Sequence, residues 1–167
     1  MLEIRKATGA DADKVLEYCR SIGGESDNLT FGAEGVSVTQ EQEEAYLNSM
    51  LDSDRQIFLI AIQNGEIAGI GTFSGFPQKR LVHRGEISIS VRRALWGNHI
   101  GTRLVEELIR FAKDTTKAEI ISLEVRSDNE RAIALYHKFG FKQIGIFPGF
   151  MKIDGKDISF DCMMLYL

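Results

Sequence analysis

The sequence predicts an α/β domain, a mixed β-sheet with helices packed on it, and three observations carry that prediction. Residues 85–91 alternate cleanly, with Ile87, Ile89 and Val91 on one face and Glu86, Ser88 and Ser90 on the other. That is the two-residue period of a strand. Directly after it, Ile100, Leu104, Leu108 and Phe111 share one side of a helix running from Asn98 to about Lys113, at the helical period. Asn64-Gly65 separates two apolar runs, 56–62 and 66–74. Both turn residues tolerate positive φ, so the pair reads as a hairpin.

The remaining elements follow in order. Residues 2–6 read as a first strand, and Thr8 with Asp11 makes a cap-like start for a helix carrying Val15, Leu16, Cys19 and Ile22. Residues 23–38 read as a loop. Thr39 and Gln42 form a capping box for a second helix, whose apolar face is expected at Ala45, Tyr46 and Met50. Glu41, Glu43 and Glu44 are expected on its solvated face. Residues 119–125 form another apolar strand. Ser127 and Glu130 form a further capping box for a helix to about Phe139, which Gly140 terminates. Residues 141–147 and 158–166 read as the last two strands, with Asp154-Gly155 as a turn signal. No repeat, low-complexity tract or linker interrupts this order, so residues 1–167 are expected to form a single domain.

Bulk properties bound the function. The chain is 44% hydrophobic and 26% charged, with a formal net charge of −4. Nothing basic points to nucleic acid. Cys19 and Cys162 fit neither a metal spacing nor a disulfide framework and read as reduced thiols. His83 and His99 have no second ligand at metal spacing, so no metal is expected. No apolar stretch is long enough to span a membrane, and the expected location is the cytoplasm.

The stretch Val91-Arg-Arg-Ala-Leu-Trp-Gly-Asn-His-Ile-Gly-Thr102 carries the most chemistry. A strand leads through a glycine-containing turn into a helix N-terminus. First-turn amides have no internal partners, and the helix dipole favours an anion there, so this is a phosphate site. A second segment follows at Asn129-Glu-Arg-Ala-Ile-Ala-Leu-Tyr136-His-Lys-Phe-Gly140-Phe141.

Together these two segments resemble the GNAT N-acetyltransferase superfamily. In the first, the family shows an Arg or Gln, two spacers, Gly, a spacer, then Gly or Ala. Trp96 stands here at the Arg/Gln position and His99 at the first glycine, while Gly97 and Gly101 remain. Asn98 and His99 are among the non-glycine residues that best tolerate positive φ. The second segment matches the family's Asn, Ala, Leu-Tyr and Gly-Phe pattern. The order of elements also matches over nearly the whole chain. The resemblance implies a mixed, mostly antiparallel central sheet flanked by about four helices.

The resemblance further implies acetyl-CoA as co-substrate and no metal. Its pyrophosphate would sit on Trp96, Gly97, Asn98, His99, Ile100, Gly101 and Thr102, with Arg92 and Arg93 near the phosphate charge. Its pantetheine would run beside Ile89 and Val91, where this strand would splay from its neighbour. Asn129 would hold the CoA arm. A substrate amine must be neutral to attack, so a base is needed, and Glu86 is the candidate. Tyr136 matches the family's general acid, a phenol that keeps its proton at neutral pH. Neither motif holds a cysteine, which favours direct transfer over a covalent enzyme intermediate.

Plainer readings stand beside these. Tyr136 also lies at core spacing with Ala132 and Phe139, and Glu86 fits a solvated strand face. The loop at 23–38 offers Glu25, Asp27, Asn28, Phe31 and Glu34 either as an acceptor wall for a cationic amine or as polar surface. Residues 147–151 are a candidate for the opposite wall. The acceptor is then a small-molecule amine or a protein N-terminus, with a homodimer as the family's common assembly. The alternative is a non-catalytic CoA-binding or protein-interaction module on the same fold. An ATP-binding reading of the turn lacks the Gly-Lys-Ser/Thr sequence it would need.

Overall fold

The computed structural model describes residues 1–167. Its elements are β1 (Leu2–Lys6), α1 (Ala12–Glu25), α2 (Gln40–Met50), β2 (Gln56–Gln63), β3 (Glu66–Gly75), β4 (Arg84–Val91), α3 (Ile100–Phe111), β5 (Ile120–Arg126), α4 (Glu130–Lys138), β6 (Lys142–Ile153) and β7 (Lys156–Tyr166). This is the predicted order. The seven strands form one sheet in the order β1-β2-β3-β4-β5-β7-β6. Every pairing is antiparallel except β4 with β5.

Alternation along β2 builds two cores. Ile57, Leu59 and Ala61 join a cluster with α3 and α4 side chains such as Leu104, Leu108 and Tyr136. Phe58 and Ile60, one step out of phase, join Val15, Tyr18, Leu47 and Met50 from α1 and α2. A strand whose successive residues are all buried must be covered on both faces. The molecule is therefore three layers deep, with α1 and α2 on one face and α3 and α4 on the other.

The parallel pair positions everything that follows. β4 and β5 are registered only at Arg84–Ile120, Gly85–Ile121 and Glu86–Ser122. Beyond that point β4 keeps its partner β3 as far as Val91, and β5 keeps β7 as far as Arg126. Between them the sheet opens as a V, with one edge of β4 unpaired over residues 87–91.

Local chemistry set several ends as expected. Thr39 Oγ1 accepts from the Gln42 amide at 3.2 Å, and Gln42 Oε1 accepts from the Thr39 amide at 2.9 Å. Asp11 accepts from the Thr8 amide at 2.9 Å, over a short 3-10 turn that leads into α1. Gly140 takes φ 92 after α4.

Three expectations are corrected. The cap of α4 is Asn129, whose Oδ1 accepts from the Ala132 amide at 3.2 Å. The expected capping residue, Ser127, instead donates to Asp161 on β7 at 2.6 Å, because β7 offers it a carboxylate. On α2 the buried residues are Glu43, Leu47 and Met50, while Ala45 and Tyr46 face outward. Glu43 is thus buried rather than solvated, and burial pushes its carboxyl pKa up. Finally, residues 147–151 lie inside β6, in an irregular stretch of its pairing with β7. Phe150 stacks there on Phe160 at 4.3 Å.

Cys19 is buried and Cys162 half-buried, and neither forms a disulfide. No helix is long and apolar enough to cross a membrane. No group of three or more His, Cys, Asp or Glu residues could hold a metal ion.

Candidate active site

The V between β4 and β5 opens into a cavity of about 430 Å³. Its walls come from five places: the end of β4, the turn into α3, the end of β5, the inner face of α4, and the end of α1 with the loop after it. Ile89, Val91, Trp96, Gly97, His99, Ile100, Gly101, Thr102, Asn129 and Tyr136 all line it. Two segments separated in sequence by a strand thus meet at one place.

The turn is built as its composition suggested. Gly97 takes φ 87 and His99 φ 59, while Asn98 stays outside the left-handed region. His99 therefore adopts a conformation that costs a non-glycine residue about 1 kcal/mol. It serves as the N-cap position of α3, and intrahelical bonding starts with Arg103 N donating to His99 O at 3.1 Å. The amides of Ile100, Gly101 and Thr102 are left without helical acceptors. A Cβ added at Gly97 would meet nothing within 4 Å, so the chain is open to solvent there. Free amides at a helix N-terminus beside an unpaired strand edge fit a ligand with both phosphates and amides, as acetyl-CoA has.

Trp96 anchors the turn, donating from Nε1 to Val91 O at 2.8 Å. The guanidinium of Arg131 lies 5.1 Å from its ring centroid and that of Arg93 lies 5.7 Å away. Arg92 behaves differently from the expectation that it serves phosphate. Its Nε donates to Ile67 O at 2.8 Å and its Nη1 to Ser21 Oγ at 2.7 Å, and it pairs with Glu25 at 3.4 Å. It is spent on fastening α1 to the sheet. Glu25 is spent with it, also accepting from the Arg93 amide at 2.7 Å. Glu34 accepts from the Gly32 amide at 2.8 Å, so this acid serves the loop's own shape. From the 23–38 loop, Ser26, Asn28 and Leu29 line the cavity.

Tyr136 is both a core residue and a site residue. It is 5% exposed and packs edge-on against Phe141, with centroids 5.7 Å apart. Burial alone pushes its phenol pKa well above the ordinary range, so it stays protonated.

Glu86 sits at the root of the V, in the last registered pair of β4 and β5, with Arg84 at 3.9 Å. It does not line the cavity, whereas Glu124 on β5 does. The cavity walls partly desolvate Glu124, and the charge of Glu86 adds to this, so its carboxyl is held above the usual range. Sequence reasoning missed Glu124, and it missed Arg131. The polar alternation Ser122, Glu124, Arg126 was visible, but only the opening of the V shows that this face meets a cavity. Tyr18, on α1, shares a hydrogen bond with Ser90 Oγ at 3.1 Å and so braces β4 from the opposite layer.

Comparison with known proteins shows the family and the fold. Residues 25–141 match the model of the acetyltransferase (GNAT) family. An N-alpha-acetyltransferase of Sulfolobus acidocaldarius is 31% identical over 93% of this chain and 88% of its own length. The crystal structure of a GNAT-family acetyltransferase from Streptococcus pneumoniae superposes with TM-score 0.95 at 32% identity, covering 100% of both chains. yncA from Salmonella typhimurium, solved with its cofactor acetyl-CoA, shares the fold with TM-score 0.84 at 20% identity, over 99% of this chain and 94% of its own.

Proposed function

The chain belongs to the GNAT acetyltransferase family and is an acetyl-CoA-dependent acetyltransferase; from that premise we propose that it acetylates a primary amine by direct transfer, with the free α-amine of a peptide or protein as acceptor. The observation that carries this reading is the V itself. An unpaired strand edge, a helix N-terminus and a protonated Tyr136 converge on one cavity. The relative named N-alpha-acetyltransferase supports the acceptor class.

When bound, acetyl-CoA supplies an activated acetyl thioester. The protein's part is to hold, orient and move protons. The first-turn amides of α3, at Ile100, Gly101 and Thr102, take the pyrophosphate, and the turn residues Trp96, Gly97, Asn98 and His99 shape its seat. Backbone groups of Ile89 and Val91 pair with the pantetheine amides as an added strand would. Asn129, with its Oδ1 used as a helix cap, keeps its Nδ2 for the same arm.

An α-amine has a pKa near 8, so a modest base suffices to make it neutral. Glu86 and Glu124 are the carboxylate pair at the root of the V. Glu124 faces the cavity and takes the amine proton, directly or through a water, and Glu86 raises its basicity. The departing thiolate takes a proton from Tyr136 Oη, the protonated group on the facing wall.

The homodimer of the sequence reading is assigned to β6. It is one of the two edge strands of the sheet, and Ile144, Ile146 and Phe147 on it are more than half exposed. A second copy covering this edge would satisfy its unpaired backbone. Sedimentation velocity is expected to show a dimer that Ile146→Lys converts to monomer; a monomeric wild type would refute the assignment.

The direct test of function is incubation with acetyl-CoA and two versions of one peptide, with a free or a blocked N-terminus. Mass spectrometry is expected to show one acetyl added only to the free form. Acetylation confined to lysine side chains or small amines would move the acceptor elsewhere.

A further inference from the structure

Arg93, Arg126 and Arg131 line the outer mouth of the V, Arg92 precedes Arg93 in the chain, and the four divide into two kinds. Arg92 pairs with Glu25, and Arg126 pairs with Asp128 at 2.6 Å while donating to Asp27 O at 3.1 Å. These two are tied down. Arg93 and Arg131 form no ion pair and donate no side-chain hydrogen bond; each leans on the Trp96 ring instead, at 5.7 and 5.1 Å. They approach from opposite sides in sequence, one from the turn before α3 and one from the first turn of α4. Trp96 is itself fixed by its bond to Val91 O. Two guanidiniums are therefore held at one aromatic platform with their donors unspent, just outside the amides of α3.

This arrangement goes beyond a seat for the pyrophosphate, which the amides already provide. Guanidinium forks match the geometry of a phosphate monoester. Resting on acetyl-CoA binding in the V, we propose that Arg93 and Arg131, positioned by Trp96, form a separate clamp for the 3′-phosphate of the CoA ribose. The chain thereby selects CoA thioesters over their 3′-dephospho forms. Of the carboxylates at this rim, Glu25 and Asp128 are already paired, which leaves Asp27 and Glu130. Their repulsion acts on all phosphates alike, so the ratio of two ligands isolates the clamp.

The test is calorimetric titration of the wild type, Arg131→Gln and Arg93→Gln with acetyl-CoA and with 3′-dephospho-acetyl-CoA. The wild type is expected to bind the dephospho form about tenfold more weakly, the scale of one charge-assisted hydrogen bond. Each variant is expected to bring that ratio toward one by losing affinity for acetyl-CoA, with dephospho affinity unchanged. Equal wild-type affinities would overturn the clamp and leave the acetyl-CoA site standing. Equal weakening of both ligands by Arg131→Gln would also overturn it, by moving that residue to the pyrophosphate. Binding of neither ligand by the folded wild type would instead overturn the site in the V.

Discussion

Tyr136 shows how one side chain can satisfy both readings of a sequence. Its spacing with Ala132 and Phe139 is that of a core residue, and it is nearly fully buried; yet its wall is also the cavity's. Removing only the hydroxyl separates the two roles. Tyr136→Phe keeps the packing against Phe141 and is expected to lower kcat about a hundredfold, the lower end of general acid catalysis. The Kd for acetyl-CoA should stay unchanged, and an unchanged kcat would remove Tyr136 from the chemistry. Glu124 makes a complementary prediction. Its base form is the ionised one, and its pKa is raised, so activity should fall as pH drops through a value above the ordinary carboxylate range. A kcat–pH profile should show this acid limb in the wild type and lack it in Glu124→Gln. Glu86 was readable as a candidate from the family resemblance and its place on the strand that would hold the cofactor. Glu124 was not, because a polar residue on a strand face gives no sign of whether water or a cavity lies beyond it.

At the scale of elements, ends with local chemistry were legible and ends with distant partners were not. The Thr39–Gln42 box lies within four residues and formed as read. Ser127 lost its capping role to Asp161, thirty-four positions away. Pattern counting on α2 misplaced its face because Glu43, not Ala45, turns inward beside Leu47. The β1–α1 junction offers a pH test. Arg5 holds Asp11 in two hydrogen bonds of 2.8 and 2.7 Å, and Thr8 adds its amide, so the Asp11 carboxyl is lowered to about 2. A lowered folded pKa stabilises above the unfolded value of about 4 and is lost as pH falls toward 2. Asp11→Asn is expected to cost about 2 kcal/mol in urea unfolding at pH 7 and much less at pH 2.5. An equal cost at both values would contradict the ion pair's role. The root of the V offers a packing test. Gly85 pairs with Ile121 one step before β4 and β5 part, and a Cβ there would lie 2.2 Å from Phe73 Cζ. Phe73 is fully buried and wedged edge-on against Phe111 at 5.8 Å. Gly85→Ala should therefore destabilise by about 1–3 kcal/mol, read as a lower urea midpoint; an unchanged midpoint would show that the ring yields freely.

Across the whole molecule, the sheet separates two cores, and the active site lies where the sheet itself parts. One layer, α1 and α2 with Tyr18 reaching Ser90, braces β4 from behind. The other, α3 and α4, presents a helix N-terminus and Tyr136 to the gap. The strand count, the helices and both motifs were readable because each is written in a short window. The V was implied only by resemblance, since pairing between β4 and β5 depends on a crossover through α3 that no local pattern reports. Calorimetric titration of the purified protein with acetyl-CoA, with ATP as control, reads directly whether this V binds acetyl-CoA. Saturable binding of one acetyl-CoA per chain, and none of ATP, is expected. A folded protein that binds neither, or binds ATP equally well, would contradict it.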